Sequence, residues 1–193
     1  MKHAGDKRRR EFYSGRHLAR AALLKAGIGP TAILRGPLGE PLWPGSVSGS
    51  ITHDQSLGAA VVCTDPDIAG IGVDLIEDPW QVGEPLADMI LHPEEANLLR
   101  IRFPLLPATG VAFSLKESVV KAVSVHLGRY MDLLEISIGG HGEALAAHVK
   151  GLQAPLPVMV YAAEFGLFTC CLRPSGAALE HQKLTFESGL RTS

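Results

Sequence analysis

The sequence predicts an α+β protein, and three observations carry that reading. Strand-like and helix-like segments cluster separately along the chain. The stretch around Phe113 to Ala122 places apolar Val111, Ala112, Leu115, Val119, Ala122 and Val123 at three- and four-residue steps, which marks one helix. The stretch from Gly70 to Glu77 is apolar and β-branched on both sides of one carboxylate, Asp74, and reads as a buried strand. A carboxylate inside such a strand is costly unless something positive meets it. A divalent metal shared by Asp74 and Glu117 would supply that charge. Lys116 and Lys121 beside it would attract a phosphate. Glu117 and Lys121 stand one helical turn apart and face the same way.

The elements follow in order. Lys2 to Arg10 is basic, and the chain then turns helical from Glu11 to Ala26, with Gly27 placed to end the helix. Arg9, Arg16 and Arg20 fall on one narrow stripe of that helix, with Arg8 at its edge. Such a stripe is either a solvated face or a phosphate clamp, since guanidinium groups bind phosphate oxygens in pairs. Ile33 to Arg35 is a short strand, and Gly36 to Gly45 is a glycine- and proline-rich loop able to approach a ligand with its backbone amides. Val47 to His53 and Leu57 to Cys63 read as paired strands, and Asp65-Pro-Asp67 turns into the strand from Ile68 to Ile76. Helices are expected from about Pro85 to Leu91 and again after Pro93, then the long one, which stops at Gly128. Four strands follow, Leu133 to Ile138, Ala144 to Lys150, Pro157 to Glu164 and Leu167 to Arg173, and a tail from Pro174 without recognisable chemistry.

Two familiar motifs fail on inspection. Gly45-Ser-Val-Ser-Gly49 has valine where a nucleophile elbow needs serine, and Gly70-Ile-Gly72 lacks the third glycine and following helix of a dinucleotide fingerprint. Composition narrows the class further. A chain of 193 residues that is 46% hydrophobic can bury a real core, and a net charge of -2 is wrong for a globally basic nucleic-acid binder. The three cysteines, Cys63, Cys170 and Cys171, fit neither zinc spacing nor a disulfide framework. No apolar run reaches the ~18 residues of a membrane span, and the charged start has no apolar signal core. The expectation is a cytoplasmic protein that uses neither membrane nor nucleic acid.

Four ordered motifs now carry a resemblance. Arg-Glu-Phe…Gly-Arg-His-Leu-Ala-Arg-Ala-Ala-Leu is followed by Gly-Glu-Pro-Leu-Trp-Pro-Gly…Gly-Ser-Ile-Thr-His, then Gly-Val-Asp, then Phe-Ser-x-Lys-Glu-Ser-x-x-Lys-Ala. Over roughly Arg8 to Ser137 the chain resembles the 4′-phosphopantetheinyl transferases of the surfactin-synthetase-activating and enterobactin-synthetase-component-D type. The resemblance implies two similar α+β lobes in a pseudo-two-fold arrangement, here residues 1–68 and 69–193. It also implies coenzyme A as substrate, Mg²⁺ or Mn²⁺ as cofactor, an acyl or peptidyl carrier protein as partner, and a monomer. The reaction implied is transfer of phosphopantetheine to a carrier serine with release of adenosine 3′,5′-bisphosphate. By the same resemblance, Arg8 and Arg16 hold the 3′-phosphate, Arg35 with Gly36, Pro37 and Leu38 lies against the nucleotide, and Thr52 and His53 meet the phosphates. Asp74 and Glu117 are implied metal ligands, Lys116 and Lys121 bind phosphate, and Glu117 and Lys121 are the implied catalytic pair.

Two departures stand out. Large-type enzymes usually carry a second carboxylate two residues after the aspartate; here that position is Ile76, and Glu77, one residue on, should face the other way. The basic motif also lies close to the start, so either the first lobe is trimmed or the start lies upstream. Two other readings compete: a coenzyme A-binding module with impaired turnover, and a Mg²⁺-dependent phosphohydrolase.

Overall fold

A computed structural model describes residues 2–141 and 144–176; the expected tail beyond residue 176 lies outside them. Helix α1 spans Lys2–Lys25 and so runs through the basic segment instead of starting near Glu11. Lysine, arginine and glutamate are good helix formers, and Lys7 pairs with Glu11 one turn on, so the charged run propagates the helix. Gly27, at φ 77°, ends it. The amide of Ile28 donates to Leu23 O at 2.9 Å and that of Gly27 to Leu24 O at 3.0 Å, so the last carbonyls are met by a Schellman turn.

Two short strands, β1 (Leu34–Arg35) and β2 (Pro41–Leu42), flank the Gly36 loop, and β3 (Ser48–His53) pairs antiparallel with β4 (Gly58–Cys63). Helix α1 lies on this hairpin, and Ala19, Leu23 and Ile33 form a small core with Trp43, Ile51 and Val62 packed around it.

The larger core belongs to the rest of the chain. Strands β5 (Ile68–Ile76), β6 (Ile136–His141), β7 (Ala144–Val149), β8 (Leu156–Ala163) and β9 (Gly166–Pro174) form one antiparallel sheet in the order β5-β9-β8-β7-β6. The expected helix near Pro85 is only a 3₁₀ turn and the single turn α2 (Ala87–Ile90), and α3 (Pro93–Arg102) follows. Helix α4 (Ala108–Leu127) packs on the sheet and ends at Gly128 in the left-handed conformation. The segment read as a strand from Leu133 begins instead with a 3₁₀ turn, because the Asp132 side chain accepts from Leu134 N at 2.8 Å and Glu135 reaches back to Asp132 N. No helix among the described residues is long and apolar enough to cross a membrane.

Two contacts in this fold position the site. The first is the approach of α4 to β5. A Cβ at Gly72 would run into the main chain at Ser118 and Ala122, and one at Gly70 into the carbonyl of Ala122. The paired glycines therefore serve close helix–strand packing, not a nucleotide. The second is the free edge of β5, which β3 meets through side chains. Ser50 Oγ accepts from Val73 N at 3.0 Å, Thr52 Oγ1 from Leu75 N at 3.1 Å, and Asp54 Oδ2 from Glu77 N at 2.8 Å. The constant offset along both strands means that they run parallel, with polar side chains replacing a backbone ladder.

Beneath α4 the ammonium of Lys116, fully buried, donates to Glu95 Oε2 at 2.8 Å and to Ile90 O at 2.6 Å. Glu95 also accepts from the amides of His92 and Ile138, so one buried carboxylate ties α3, α4 and β6 together. Burial pushes the Lys116 ammonium below its ordinary pKa, and the hydrogen bond and charge of Glu95 pull it back. Glu95→Ala would strand that cation, and urea unfolding should show a loss of about 3–5 kcal/mol. The double variant Glu95→Leu with Lys116→Met should recover most of it. A loss under ~1 kcal/mol for Glu95→Ala would show that water reaches Lys116.

Candidate active site

Asp74 is 7% exposed and sits in β5 with donors reaching it from two other elements. Lys121 Nζ, from α4, lies 2.6 Å from Oδ1. Thr52 Oγ1, from β3, donates to the same oxygen at 3.3 Å, and Ser114 Oγ, from α4, donates to Oδ2 at 2.9 Å. The Lys121 ammonium also donates to Val73 O at 3.1 Å. Ser114, Glu117 and Lys121 are spaced three and four residues apart, so one stripe of α4 faces Asp74.

Glu117 is partly buried, and its carboxylate accepts no hydrogen bond among the described residues. Burial pushes its pKa up; the Lys121 charge works against that rise and the Asp74 charge adds to it. An acid in this state holds its proton more readily than an exposed one.

Beside this centre a groove of about 640 Å³ is lined by Arg8, Arg9, Arg16 and Arg35 together with Phe12 and His53. Strand β3 links the two regions: Thr52 points to Asp74, and the next residue, His53, lines the groove with its Nε2 3.5 Å from Glu11 Oε2. Arg16 has a second task. Its Nε donates to Ile33 O at 2.9 Å and its Nη2 to Leu34 O at 3.2 Å, which straps α1 to the start of β1. Burial and the neighbouring Arg35 lower its pKa, and its guanidinium lies 4.7 Å over the Phe12 ring.

The structure thus brings Arg8, Arg16, Arg35 and His53 together in the groove, and Asp74, Glu117 and Lys121 together at the centre. It moves the remaining expectations. Lys116 does not face a phosphate: it points into the core, because successive helical residues diverge by about 100° and its neighbour Glu117 holds the other direction. Thr52 is 2% exposed with its hydroxyl committed to Asp74 and Leu75, so it supports the aspartate instead of meeting a ligand. Gly36, Pro37 and Leu38 do not line the groove, which this loop meets through Arg35, Gly39 and Pro41. The Glu40 carboxylate folds back under the turn and takes the Leu38 amide at 2.9 Å. Ile76 is buried in the strand opposite Leu167. Glu77 faces away and holds the β3–β4 turn, where Ser56 Oγ donates to it at 2.7 Å and Leu57 N at 2.9 Å.

The sequence motifs assign no role to Ser114 or Thr169. The three-residue step from Ser114 to Glu117 was an available signal. Thr169 had none, since only strand pairing sets it opposite Asp74.

An arginine-lined groove against a carboxylate–lysine centre offers donors of the kind that phosphate oxygens accept. Comparison with known proteins agrees. Residues 1–63 match the family described as the 4'-phosphopantetheinyl transferase N-terminal domain, and residues 70–156 match the 4'-phosphopantetheinyl transferase superfamily. Among curated relatives, 4'-phosphopantetheinyl transferase Npt of Nocardia iowensis is 37% identical over 117 residues, 61% of this chain and 52% of that protein. Svp of Streptomyces mobaraensis is 34% identical over 159 residues, 81% of this chain and 64% of that protein. Enterobactin synthase component D of Escherichia coli K12 is 37% identical over 129 residues, 65% of this chain and 59% of that protein. The two family matches together span well over half the chain, which belongs to the 4'-phosphopantetheinyl transferase superfamily. It spans about half to two thirds of the length of these relatives.

The raised pKa of Glu117 gives a pH signature in protein free of divalent ions. Below the ordinary carboxylate range the group is protonated whether folded or unfolded. As pH rises through the folded pKa, the unfolded chain has already released the proton, and stability is lost. Urea unfolding in EDTA should therefore find Glu117→Gln gaining on the wild type as pH rises from acid to neutral. A difference independent of pH would mean that Glu117 is not desolvated.

Proposed function

We infer that this chain transfers the 4′-phosphopantetheine group of coenzyme A to a serine of an acyl or peptidyl carrier protein, with Mg²⁺ or Mn²⁺, releasing adenosine 3′,5′-bisphosphate. The observation that carries the reading is the meeting of Asp74, Glu117 and Lys121 beside a groove holding four arginines. Family membership supports it.

The donor set suits a hard cation. Among the described residues no three His, Cys, Asp or Glu side chains gather into a metal site. Mg²⁺ needs no such cage, because it binds through one or two carboxylates and takes its other oxygens from water and substrate phosphates. Asp74 and Glu117 would be those two carboxylates, and the unpartnered, desolvated Glu117 carboxylate is a group that a cation would relieve. Bound there, the ion would offset the negative charge of the pyrophosphate.

The protein's own groups account for the remaining steps. Arg8, Arg16 and Arg35, with His53, would hold the nucleotide phosphates in the groove and orient the pyrophosphate toward Asp74 and Lys121. The carrier serine oxygen bonds to the phosphorus nearer the pantetheine, and the bond from that phosphorus to the bridging oxygen breaks. The serine proton passes to the Glu117 carboxylate, directly or through a water. The Lys121 ammonium meets the charge that builds on the departing bisphosphate.

The deciding experiment is the mass of a purified carrier protein before and after incubation with coenzyme A, Mg²⁺ and this chain. A gain of one phosphopantetheine per carrier is expected. Coenzyme A binding without transfer would favour the binding-module reading, and release of bisphosphate without a carrier would favour a phosphohydrolase.

Arg8 is the cleaner of the two expected 3′-phosphate contacts, since Arg16 also straps the fold. Arg8→Ala should weaken coenzyme A by about tenfold or more, as one charge-assisted contact is worth roughly 1.5–3 kcal/mol, and should barely affect dephospho-coenzyme A. Equal losses for both ligands, measured by calorimetry, would place Arg8 elsewhere.

Lys121→Ala should lower kcat more than it raises KM for coenzyme A, because its contact strengthens as the bond breaks. Arginine should rescue poorly, being a planar fork in place of a point charge. Steady-state kinetics with wild-type kcat in Lys121→Ala would leave only the ion pair to Asp74.

A further inference from the structure

Two of the three serines on α4, Ser114 and Ser118, behave differently. Ser118 Oγ donates back along the helix to Leu115 O at 2.7 Å, the ordinary habit of a helical serine. Ser114 does not: its hydroxyl leaves the helix and donates to Asp74 Oδ2 at 2.9 Å. What differs is the neighbour. Thr169, in β9, is the cross-strand partner of Asp74, and its Oγ1 lies 3.0 Å from Ser114 Oγ and donates to Ser114 O at 2.8 Å. Both hydroxyl-bearing residues are fully buried, so water does not compete.

Counting protons fixes the direction of the chain. The Ser114 hydroxyl has one proton, and the carboxylate is its strongest acceptor, since hydrogen bonds to ionised groups are about twice as strong as neutral ones. The Ser114 oxygen can then only accept from Thr169. The Thr169 proton therefore lies in a fork between the carbonyl and the hydroxyl of Ser114. That fork occupies the helical carbonyl of Ser114 and pins its side chain toward the aspartate.

Building on the transferase reading above, we propose that Thr169 and Ser114 are positioning residues, a two-hydroxyl relay from β9 through α4 that fixes the Asp74 carboxylate for the metal. Oδ2 is held from behind by this relay, and Oδ1 is turned toward Thr52 and Lys121. Thr169 lies outside both stretches that match the family, so its role rests on the fold alone. Groups that orient a metal ligand commonly set affinity as strongly as tenfold to hundredfold.

The test is Mn²⁺ affinity by electron paramagnetic resonance, on the full chain with coenzyme A and without a carrier, so that no turnover enters. Asp74→Ala should lose the ion. Ser114→Ala should bind it about 10–100-fold more weakly. Thr169→Val, which keeps the shape and removes the hydroxyl, should weaken it in the same direction, and Thr169→Ser should restore it. Wild-type affinity in Ser114→Ala, with binding lost in Asp74→Ala, overturns the relay and leaves the metal reading standing. Wild-type affinity in Asp74→Ala, or no binding by the wild type, removes the metal reading and the relay with it. Should Thr169→Val fail to fold, Ser114→Ala and Thr169→Ser decide alone.

Discussion

A single carboxylate, Asp74, sets the terms for the rest of this molecule. It is buried in a strand of the main sheet, where an unpaired charge would be untenable, so the surrounding elements must deliver donors to it. They do so from both sides: Ser114 and Lys121 from α4, Thr52 from β3. Such delivery requires α4 to lie unusually close to β5. Gly70 and Gly72 make that approach feasible, since a side chain at either would collide with the helix backbone. A pair of glycines four and two residues ahead of the aspartate thus lets α4 bring its donors to it.

The same requirement explains how the N-terminal hairpin is attached. Strand β3 could have extended the sheet by backbone pairing; it presents Ser50, Thr52 and Asp54 to the amides of β5 instead. Replacing main-chain acceptors by side chains holds the strands while leaving the Thr52 hydroxyl a proton for Asp74. Because His53 follows on the opposite side of β3, the strand that supports the acidic centre also walls the arginine groove. Small displacements of β3 would therefore be felt at both places. Arg16, strapping α1 to the chain at Ile33 and Leu34, restrains the far wall of the same groove.

Two adjacent residues of α4 show how a motif divides its labour. Lys116 and Glu117 stand side by side in sequence, yet one closes a buried ion pair with Glu95 and the other faces Asp74. The ion pair fastens α4 to α3 and β6 on its hidden side, which holds the stripe that faces Asp74 in place on the other. A lysine next to a carboxylate that faces Asp74 invites a functional reading, and only its burial reveals a structural one.

Periodicity and punctuation made most of the fold legible. The long helix and its stop at Gly128, the β3–β4 hairpin and the buried strand around Asp74 were all readable, because local spacing and turn chemistry fix them. The stripe that unites Glu117 with Lys121, and the need of Asp74 for a positive partner, were readable for the same reason. The sequence by itself therefore determined which groups had to meet. Which hydroxyls meet them was decided by tertiary structure. Thr169 reaches the site only through the β5–β9 register, Thr52 turns inward only because β3 lies along the edge of β5, and Lys116 turns away only because Glu95 waits beneath the helix. Those choices depend on contacts between segments far apart in the chain, and no local pattern encodes them.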